Sequence, residues 1–268
     1  MGAGRQLVKT LGPDPIIDPL YRLERQLRYR LAGETYAVEA SGARARFRIP
    51  TQNEWSDFVS IAERPILEDL ASSIRRDDVF YDIGANTGLY SCLMANLVEQ
   101  PVIALEPHPQ NARRLEENAE LNGADVSVFE YALADSAGDS ELSIVLDKIG
   151  SAGHSLVSDE GPNTITVPKI RGDDFIADED LPAPTVLKID VEGAEYQVLR
   201  GLESALSRSD CRMVYCETHA DRLRAQGVSV SDVRDELVSH GFSVTEVTVR
   251  QGKGETFLVG KADGSSGG

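Results

Sequence analysis

Three strings in this chain set acidic groups beside backbone that can close on a ligand. In Val79-Phe80-Tyr81-Asp82-Ile83-Gly84-Ala85-Asn86-Thr87-Gly88 an apolar strand runs into an acid, a glycine-bearing turn and the start of a helix. Gly84 and Gly88 supply permissive backbone, Asn86 tolerates positive φ better than most residues, and the helix start beyond contributes N–H donors. A dinucleotide fingerprint would need the triplet G-x-G-x-x-G to admit a pyrophosphate, and this turn does not supply it. Asp82, ahead of the first glycine, suits a ligand bearing an ammonium group and opposes a pyrophosphate. Taken alone, the same string also reads as a tight structural turn.

The second string, Val102-Ile103-Ala104-Leu105-Glu106-Pro107, ends a strand on a carboxylate. An acid about twenty residues past a glycine loop is the expected acceptor for two ribose hydroxyls. His108 beside it reads as a wall or surface residue. The third string is Lys188-Ile189-Asp190-Val191-Glu192-Gly193-Ala194-Glu195, and Glu217-Thr218-His219 follows the next strand. If the strand stays extended, Lys188, Asp190 and Glu192 project to one face, and Lys188 holds a carboxylate ionised. For Glu192 and Glu195 the alternative is an internal salt bridge that steadies the strand-to-helix turn; for His219 it is a satisfied strand-end histidine. Asp190, Glu192, Glu217 and His219 are hard donors that a divalent cation could use, but no spacing demands one and no metal is expected.

These groups need elements to hold them. Short apolar runs alternate with longer helical ones: strand Val79 to Ile83, helix Leu89 to Val98, strand Val102 to Leu105, helix Pro109 to Leu121 and strand Val126 to Ala132. The order resumes with strand Thr185 to Ile189, helix Ala194 to Leu206, strand Arg212 to Cys216 and helix Ser231 to His240. Such alternation predicts a doubly wound α/β fold, a mostly parallel sheet with both faces covered, and ligands of open parallel sheets bind at the carboxyl ends of the strands. Asp82, Glu106, Asp135, Asp190 with Glu192, and Glu217 with His219 are the polar residues at those ends. Phe242 to Val249 and Glu255 to Val259, joined by Gln251 to Gly254, predict a closing antiparallel hairpin. Ahead of the sheet, Pro65 to Arg76 has helical spacing, and Glu34 to Ala40 with Ala43 to Ile49 predicts a hairpin whose outer face carries Arg44, Arg46 and Arg48. That stripe could meet an anionic substrate or be a solvated face. Asp147 to Asn163, Gly- and Ser-rich after a strand at Glu141 to Val145, is long for a connection, and its His154 suits a lid or an ordinary loop.

The expected organisation is an N-terminal extension over residues 1–60, one main domain over 61–260 and a flexible tail over 261–268. The net charge of −17 repels phosphate backbones and anionic membrane surfaces, which argues against a nucleic-acid partner. Lysine occurs only at positions 9, 148, 169, 188, 253 and 261, a balance that suits a salt-adapted cytoplasm. No apolar run reaches membrane-spanning length, and the first residues lack the apolar core of a secretory signal, so a cytoplasmic protein without stable membrane insertion is expected. Cys92, Cys211 and Cys216 are odd in number and lack metal-ligand spacing, so neither a disulfide framework nor a zinc site is expected.

With the strand ends assembled, the sequence resembles the FkbM family of methyltransferases, within the class I S-adenosylmethionine-dependent fold. Asp82 to Gly88, Glu106-Pro107 and Lys188 to Glu195 carry the resemblance, with support from Asn122-Gly123, Ala132-Leu133, Asp173-Asp174, Leu199-Arg200-Gly201 and Glu217. It runs from about Ile66 to Val259. Tyr131 departs from it, standing where family members often carry small or polar residues.

The resemblance implies a seven-stranded Rossmann-like sheet and S-adenosylmethionine held by Asp82, Gly84, Ala85, Asn86, Gly88, Glu106, Pro107, Ala132 and Asp190. It further implies methyl transfer to a hydroxyl of a sugar, glycan or secondary metabolite. Positioning supplies roughly 7–11 kcal/mol of such a barrier and a general base about 10²–10⁴ in rate. Asp190 is the expected base, with Glu192 and His219 as further catalytic candidates. A nicotinamide-dependent oxidoreductase and a non-catalytic S-adenosylmethionine-binding module are the alternatives.

Overall fold

The computed structural model describes residues 17–143, 164–250 and 255–262. The long Gly/Ser segment with His154, the turn at 251–254 and the Gly-Ser-Ser-Gly-Gly tail lie outside the described residues.

A helix α1 (Ile17–Ala32) leads into the hairpin β1 (Thr35–Ala40) and β2 (Ala43–Arg48), then α2 (Gln52–Val59) and α3 (Arg64–Ser73). In β2 burial alternates strictly, with Ala43, Ala45 and Phe47 inward and Arg44, Arg46 and Arg48 outward. The arginine face is partnered within the fold: Arg44 meets Glu39, Arg46 bonds Thr35 and Arg48 meets Glu117. Helix α2 starts on a capping box between Thr51 and Glu54, and α3 carries Pro65 in its first turn, where a missing N–H costs nothing.

The main sheet follows: β3 (Phe80–Ile83), α4 (Leu89–Met94), β4 (Val102–Leu105), α5 (Pro109–Asn122) and β5 (Val126–Phe129). After β6 (Ala132–Ala134), β7 (Gly138–Ser143), β8 (Thr164–Arg171) and α6 (Gly172–Asp178), the chain returns through β9 (Val186–Ile189), α7 (Glu195–Gly201), α8 (Glu203–Leu206) and β10 (Met213–His219). It closes with α9 (Ala220–Ala225), α10 (Val230–Ser239), β11 (Phe242–Arg250) and β12 (Glu255–Ala262). The seven-stranded sheet has the order β11-β12-β10-β9-β3-β4-β5. Strands β10, β9, β3, β4 and β5 pair in parallel, and β12 pairs antiparallel with both β10 and β11. This is the expected doubly wound, mostly parallel sheet with an antiparallel close.

Strands β3, β4 and β9 are buried at every residue because helices cover both faces. One apolar cluster joins Phe47, Trp55 and Phe58 to Leu67, Leu93, Tyr215 and Phe257, so the N-terminal hairpin and α2 share the core of one sheet face. The other face is built from Leu187, Val198, Leu202, Val214 and Leu237 with Phe175. The side-chain amides of Asn118 and Asn122 on α5 act as a strand edge: they accept from the N–H groups of Arg48 (3.0 Å) and Arg46 (2.7 Å). At the amino ends of the strands, buried Asp78 accepts from Arg212 Nε at 2.8 Å, Thr185 Oγ1 at 2.8 Å and Arg75 N at 2.6 Å. Burial pushes its pKa up, but these bonds outweigh that and hold the carboxyl below its usual range.

Two expected elements divide. The run Val126 to Ala132 breaks at Glu130-Tyr131, and Ala132–Ala134 joins a separate three-stranded sheet, β6-β8-β7, pairing in parallel with Lys169 to Arg171. Side chains of Phe129 and Tyr131 turn onto Phe175, an apolar anchor that a strand pattern cannot reveal. The helix expected over Ala194 to Leu206 interrupts at Leu202, next to Gly201, whose Cβ would lie 1.9 Å from the Ala134 carbonyl oxygen.

The order along the sheet reverses between β3 and β9, since β3 leads outward to β4 and β5 while β9 leads the opposite way to β10. Gly84 sits at that reversal with φ +76°, and a Cβ there would fall 1.9 Å from the Asp190 carbonyl oxygen. Gly227 has nearly the same φ, +75°, with nothing within 4 Å. Gly227→Ala is therefore expected to cost only the left-handed backbone penalty, about 1–2 kcal/mol. Gly84→Ala should cost clearly more in urea unfolding; equal losses would mean the two loops can part without cost.

Candidate functional site

Two turns meet at the carboxyl edge where the sheet reverses. The N–H groups of Gly84 and Ala85 both donate to the Leu105 carbonyl (2.9 and 3.0 Å), and the Asp190 N–H donates to the Ile83 carbonyl (2.9 Å). Asn86 has φ +50° and Glu192 φ +55°, so each turn uses a left-handed residue that is not glycine.

Between the turns lies Lys188, 3% exposed. Its Nζ donates to the Gly84 carbonyl at 3.1 Å and stands 3.4 Å from Asp190 Oδ2 and 3.6 Å from Asp82 Oδ1. Burial disfavours the ammonium, but Asp190 and Asp82 outweigh it and raise the pKa, so the group stays charged. Asp82 is fully buried, and its Oδ2 accepts from the Ser91 N–H (3.0 Å) and hydroxyl (2.6 Å). It thus fixes the start of α4 and faces Lys188 rather than the open cavity.

Glu106, at the end of β4, accepts from the Asn86 N–H at 2.8 Å on one oxygen and from the His108 N–H at 3.0 Å on the other. Burial pushes its pKa up to about 7 against those bonds. His108 caps α5, its Nδ1 accepting from the Gln110 N–H at 3.3 Å. It is buried, the wall of the two positions the sequence left open.

The second cluster surrounds His219 at the end of β10. Its Nδ1–H donates to Glu195 Oε1 at 2.7 Å, which also accepts from the Gly193 N–H at 2.9 Å. Its Nε2 points to Glu192 Oε2 at 3.1 Å, with Asp190 Oδ1 at 3.9 Å. Arg222 holds Glu192 from the far side. A cavity of about 220 Å³ opens onto this cluster, lined by Asp190, Glu192, Glu217, His219, Lys188 and Tyr90 with Asn86 and Thr87 of the glycine turn. Its opposite wall is Glu54 and Phe58 of α2 and the following Ser60 to Glu63.

The structure brings Asp82, Gly84, Ala85, Asn86, Glu106 and Asp190 to one edge, with Glu192 and His219 beside them. Gly88, at φ +87°, caps α4. Pro107 follows Glu106 into the turn before α5. Two expectations are corrected. Strand β9 ends at Ile189, so Glu192 reaches the cluster through a left-handed turn and not along an extended face. Asp135 follows β6 in the small sheet, exposed and bonded to Ser136. Ala132 is buried at the start of that same small sheet. Tyr90 and Glu63 escaped the sequence reading as site residues. Tyr90 had a positional signal, standing on the first turn of the helix after the glycine turn. Glu195, weighed against an internal salt bridge, meets His219 and the Gly193 N–H, a pairing that depends on where β10 places His219.

A family model described as the methyltransferase FkbM domain matches residues 82–244. The chain is 33% identical over 225 residues to the hexuronic acid methyltransferase AglP of Haloferax volcanii, covering 84% of this chain and 87% of that protein. It is 31% identical over 202 residues to the 31-O-demethyl-FK506 methyltransferase FkbM of Streptomyces tacrolimicus, covering 64% of this chain and 75% of that one. The crystal structure of methyltransferase FkbM from Methylobacillus flagellatus KT matches with a TM-score of 0.50 at 17% identity, a likeness of fold. That match covers 70% of this chain and 44% of the longer one.

The site makes stability depend on pH with a definite sign. Burial opposes a charge on His219, but the bond to Glu195 and the carboxylates of Asp190 and Glu192 push its pKa up to about 9 from 6.5. Burial, then Asp190 and Glu63, push Glu217 up to about 9 from 4.5. The histidine's contribution is full below pH 6.5 and lost as pH rises through about 9. Glu217 costs stability from pH 4.5 upward over the same range, because the folded chain retains a proton the unfolded chain has released. Tm is expected to fall between pH 6.5 and 9, less steeply in His219→Gln; an unchanged slope in that variant would show that His219 carries no extra proton in the folded chain.

Proposed function

The chain belongs to the FkbM family of methyltransferases, and from that premise we propose that it uses S-adenosylmethionine to methylate a hydroxyl oxygen of a sugar, glycan or secondary metabolite. The observation that carries this reading is the pairing, across one sheet reversal, of a buried, amide-held carboxylate at Glu106 with a cavity-facing carboxylate at Asp190. Family membership sets the nicotinamide oxidoreductase aside.

The residues fit the cofactor. Glu106 is held by two backbone amides and the Asn111 side chain, and ribose hydroxyls donating to it would favour its ionised form. The buried Asn86 Oδ1 has no hydrogen-bond partner among the described residues, as expected of a turn that receives a polar ligand. Gly84, Ala85, Gly88 and Pro107 shape that turn, and Asp82 serves mainly by positioning α4 and Lys188. Bound there, S-adenosylmethionine supplies a methyl group on a sulfonium.

Asp190 is the base in this reading. Its Oδ2 is held by Lys188, and its buried Oδ1 has no hydrogen-bond partner among the described residues. The Asp190 carboxylate would take the proton of the acceptor hydroxyl as that oxygen gains the methyl group and the methyl–sulfur bond breaks, leaving a neutral thioether. Glu192 and His219 orient the acceptor, and α2 with Ser60 to Glu63 walls its side of the cavity. The relatives named for a hexuronic acid and for a demethylated FK506 support an oxygen-rich acceptor.

Glu106→Ala is expected to weaken S-adenosylmethionine binding at least tenfold, since two charge-assisted hydrogen bonds of about 1.5–3 kcal/mol each are lost. Calorimetry showing wild-type affinity in that variant would sink the cofactor assignment. Asp190→Asn is expected to lower kcat by about 10²–10⁴, followed by mass spectrometry of methylated product over a panel of uronic acids and neutral glycans. Product formation at the wild-type rate would remove Asp190 as base. Tight cofactor binding by the wild type, with no product from any member, favours the non-catalytic module.

A further inference from the structure

The cluster around His219 is arranged for more than a proton. Single donor atoms of Asp190, Glu192 and His219 all lie within 4.8 Å of one another, two carboxylates and one imidazole. His219 donates Nδ1–H to Glu195, a side chain with no exposure, and that bond turns Nε2 toward both carboxylates. A carboxylate that orients a histidine from behind is the usual support of a metal-ligating imidazole. An independent observation comes from the cavity wall. Tyr90 is 3% exposed, lines the same cavity, and its hydroxyl has no hydrogen-bond partner among the described residues. A buried phenol left in that condition is costly unless a ligand or ordered water meets it.

Charge points the same way. The carboxyl groups of Glu63, Asp190, Glu192, Glu195 and Glu217 converge here against Lys188, Arg222 and the imidazole of His219, whose proton a metal cation would replace. Lys188 occupies Asp190 Oδ2 and Arg222 occupies Glu192 Oε2, which leaves Asp190 Oδ1 and the His219 Nε2 edge facing the cavity. We infer that Asp190, Glu192 and His219 form a divalent-cation site that presents the acceptor. The oxygen-rich donor set suits Mg²⁺ or Mn²⁺, ions that retain open positions for water or substrate oxygens. Two neighbouring oxygens of the acceptor, a diol or a hydroxyl beside a carboxylate, complete the coordination, and the Tyr90 hydroxyl bonds one of them. Arg222 shares or yields Glu192 when the cation enters. The cation site stands on its own geometry; the role toward the acceptor rests on the function proposed above.

The test is a Mn²⁺ titration of the full chain, stripped with EDTA and followed by electron paramagnetic resonance. One tightly bound Mn²⁺ per chain is expected in the wild type. Glu195→Gln, which alters the support behind His219, should weaken it by about 10–100-fold, and Glu192→Gln at least as much. Glu68→Gln, at the remote contact with Ser41, should leave it unchanged. No tight site in the wild type overturns the inference. So does wild-type Mn²⁺ affinity in Glu192→Gln and Glu195→Gln, which would mark diffuse attraction to an acidic surface. Circular dichroism establishes that each variant is folded, and His219→Gln replaces any that is not. S-adenosylmethionine calorimetry in EDTA separates the two readings: cofactor binding without a Mn²⁺ site overturns the cation alone, and a Mn²⁺ site without cofactor binding overturns the proposed function alone.

Discussion

The ammonium of Lys188 lies at the centre of three strand ends with almost no access to water. Taking such a charge out of solvent costs several kcal/mol, so it persists only where fixed negative groups surround it. Asp82 on β3, Asp190 after β9 and the carbonyl of Gly84 meet that requirement. Each is then restrained by the others: Asp82 holds α4 through Ser91, Gly84 presses on the Asp190 backbone, and Asp190 is left with one oxygen toward the cavity. A parallel ion pair of Asp78 and Arg212 ties the opposite ends of β3 and β10. The sheet is clamped at both ends, and the reacting edge gains a carboxylate whose position does not depend on a mobile loop.

Around this clamp the acids divide by environment. Glu106 is buried but amide-bonded, which suits it to accept from hydroxyl donors near neutral pH. Glu217 is pushed up to about 9 by burial and its acidic neighbours, and so remains protonated at neutral pH. His219, between Glu195 and Glu192, takes up the excess negative charge as a proton. Removing that proton in favour of a cation changes what the cluster can hold without moving a strand.

The wall opposite these groups comes from the N-terminal segment. Trp55 and Phe58 anchor α2 in the core shared with Phe47, and this brings Glu54, Ser60 and Glu63 to the cavity. The edge that resembles its relatives thus faces a surface supplied by a region outside the family match at 82–244. In the function proposed above, acceptor choice falls to that surface, because a fold alone does not encode it.

Short, largely apolar strands with a charged group in or just after them are local patterns, and they made the wound sheet, the glycine turn and the positions of Asp82, Glu106 and Asp190 legible in the residues themselves. Backbone rules carry that far because periodicity and turn chemistry act over a few residues. The pairing of Glu195 with His219 joins residues twenty-four positions apart through the register of β9 and β10, and no local pattern encodes it. The break at Glu130-Tyr131 likewise follows from packing on Phe175, and the turning of Glu192 follows from a left-handed residue and Arg222. Local sequence specified which groups reach the sheet edge; long-range packing determined which of them face each other, because contact distances and burial exist only once distant strands are paired.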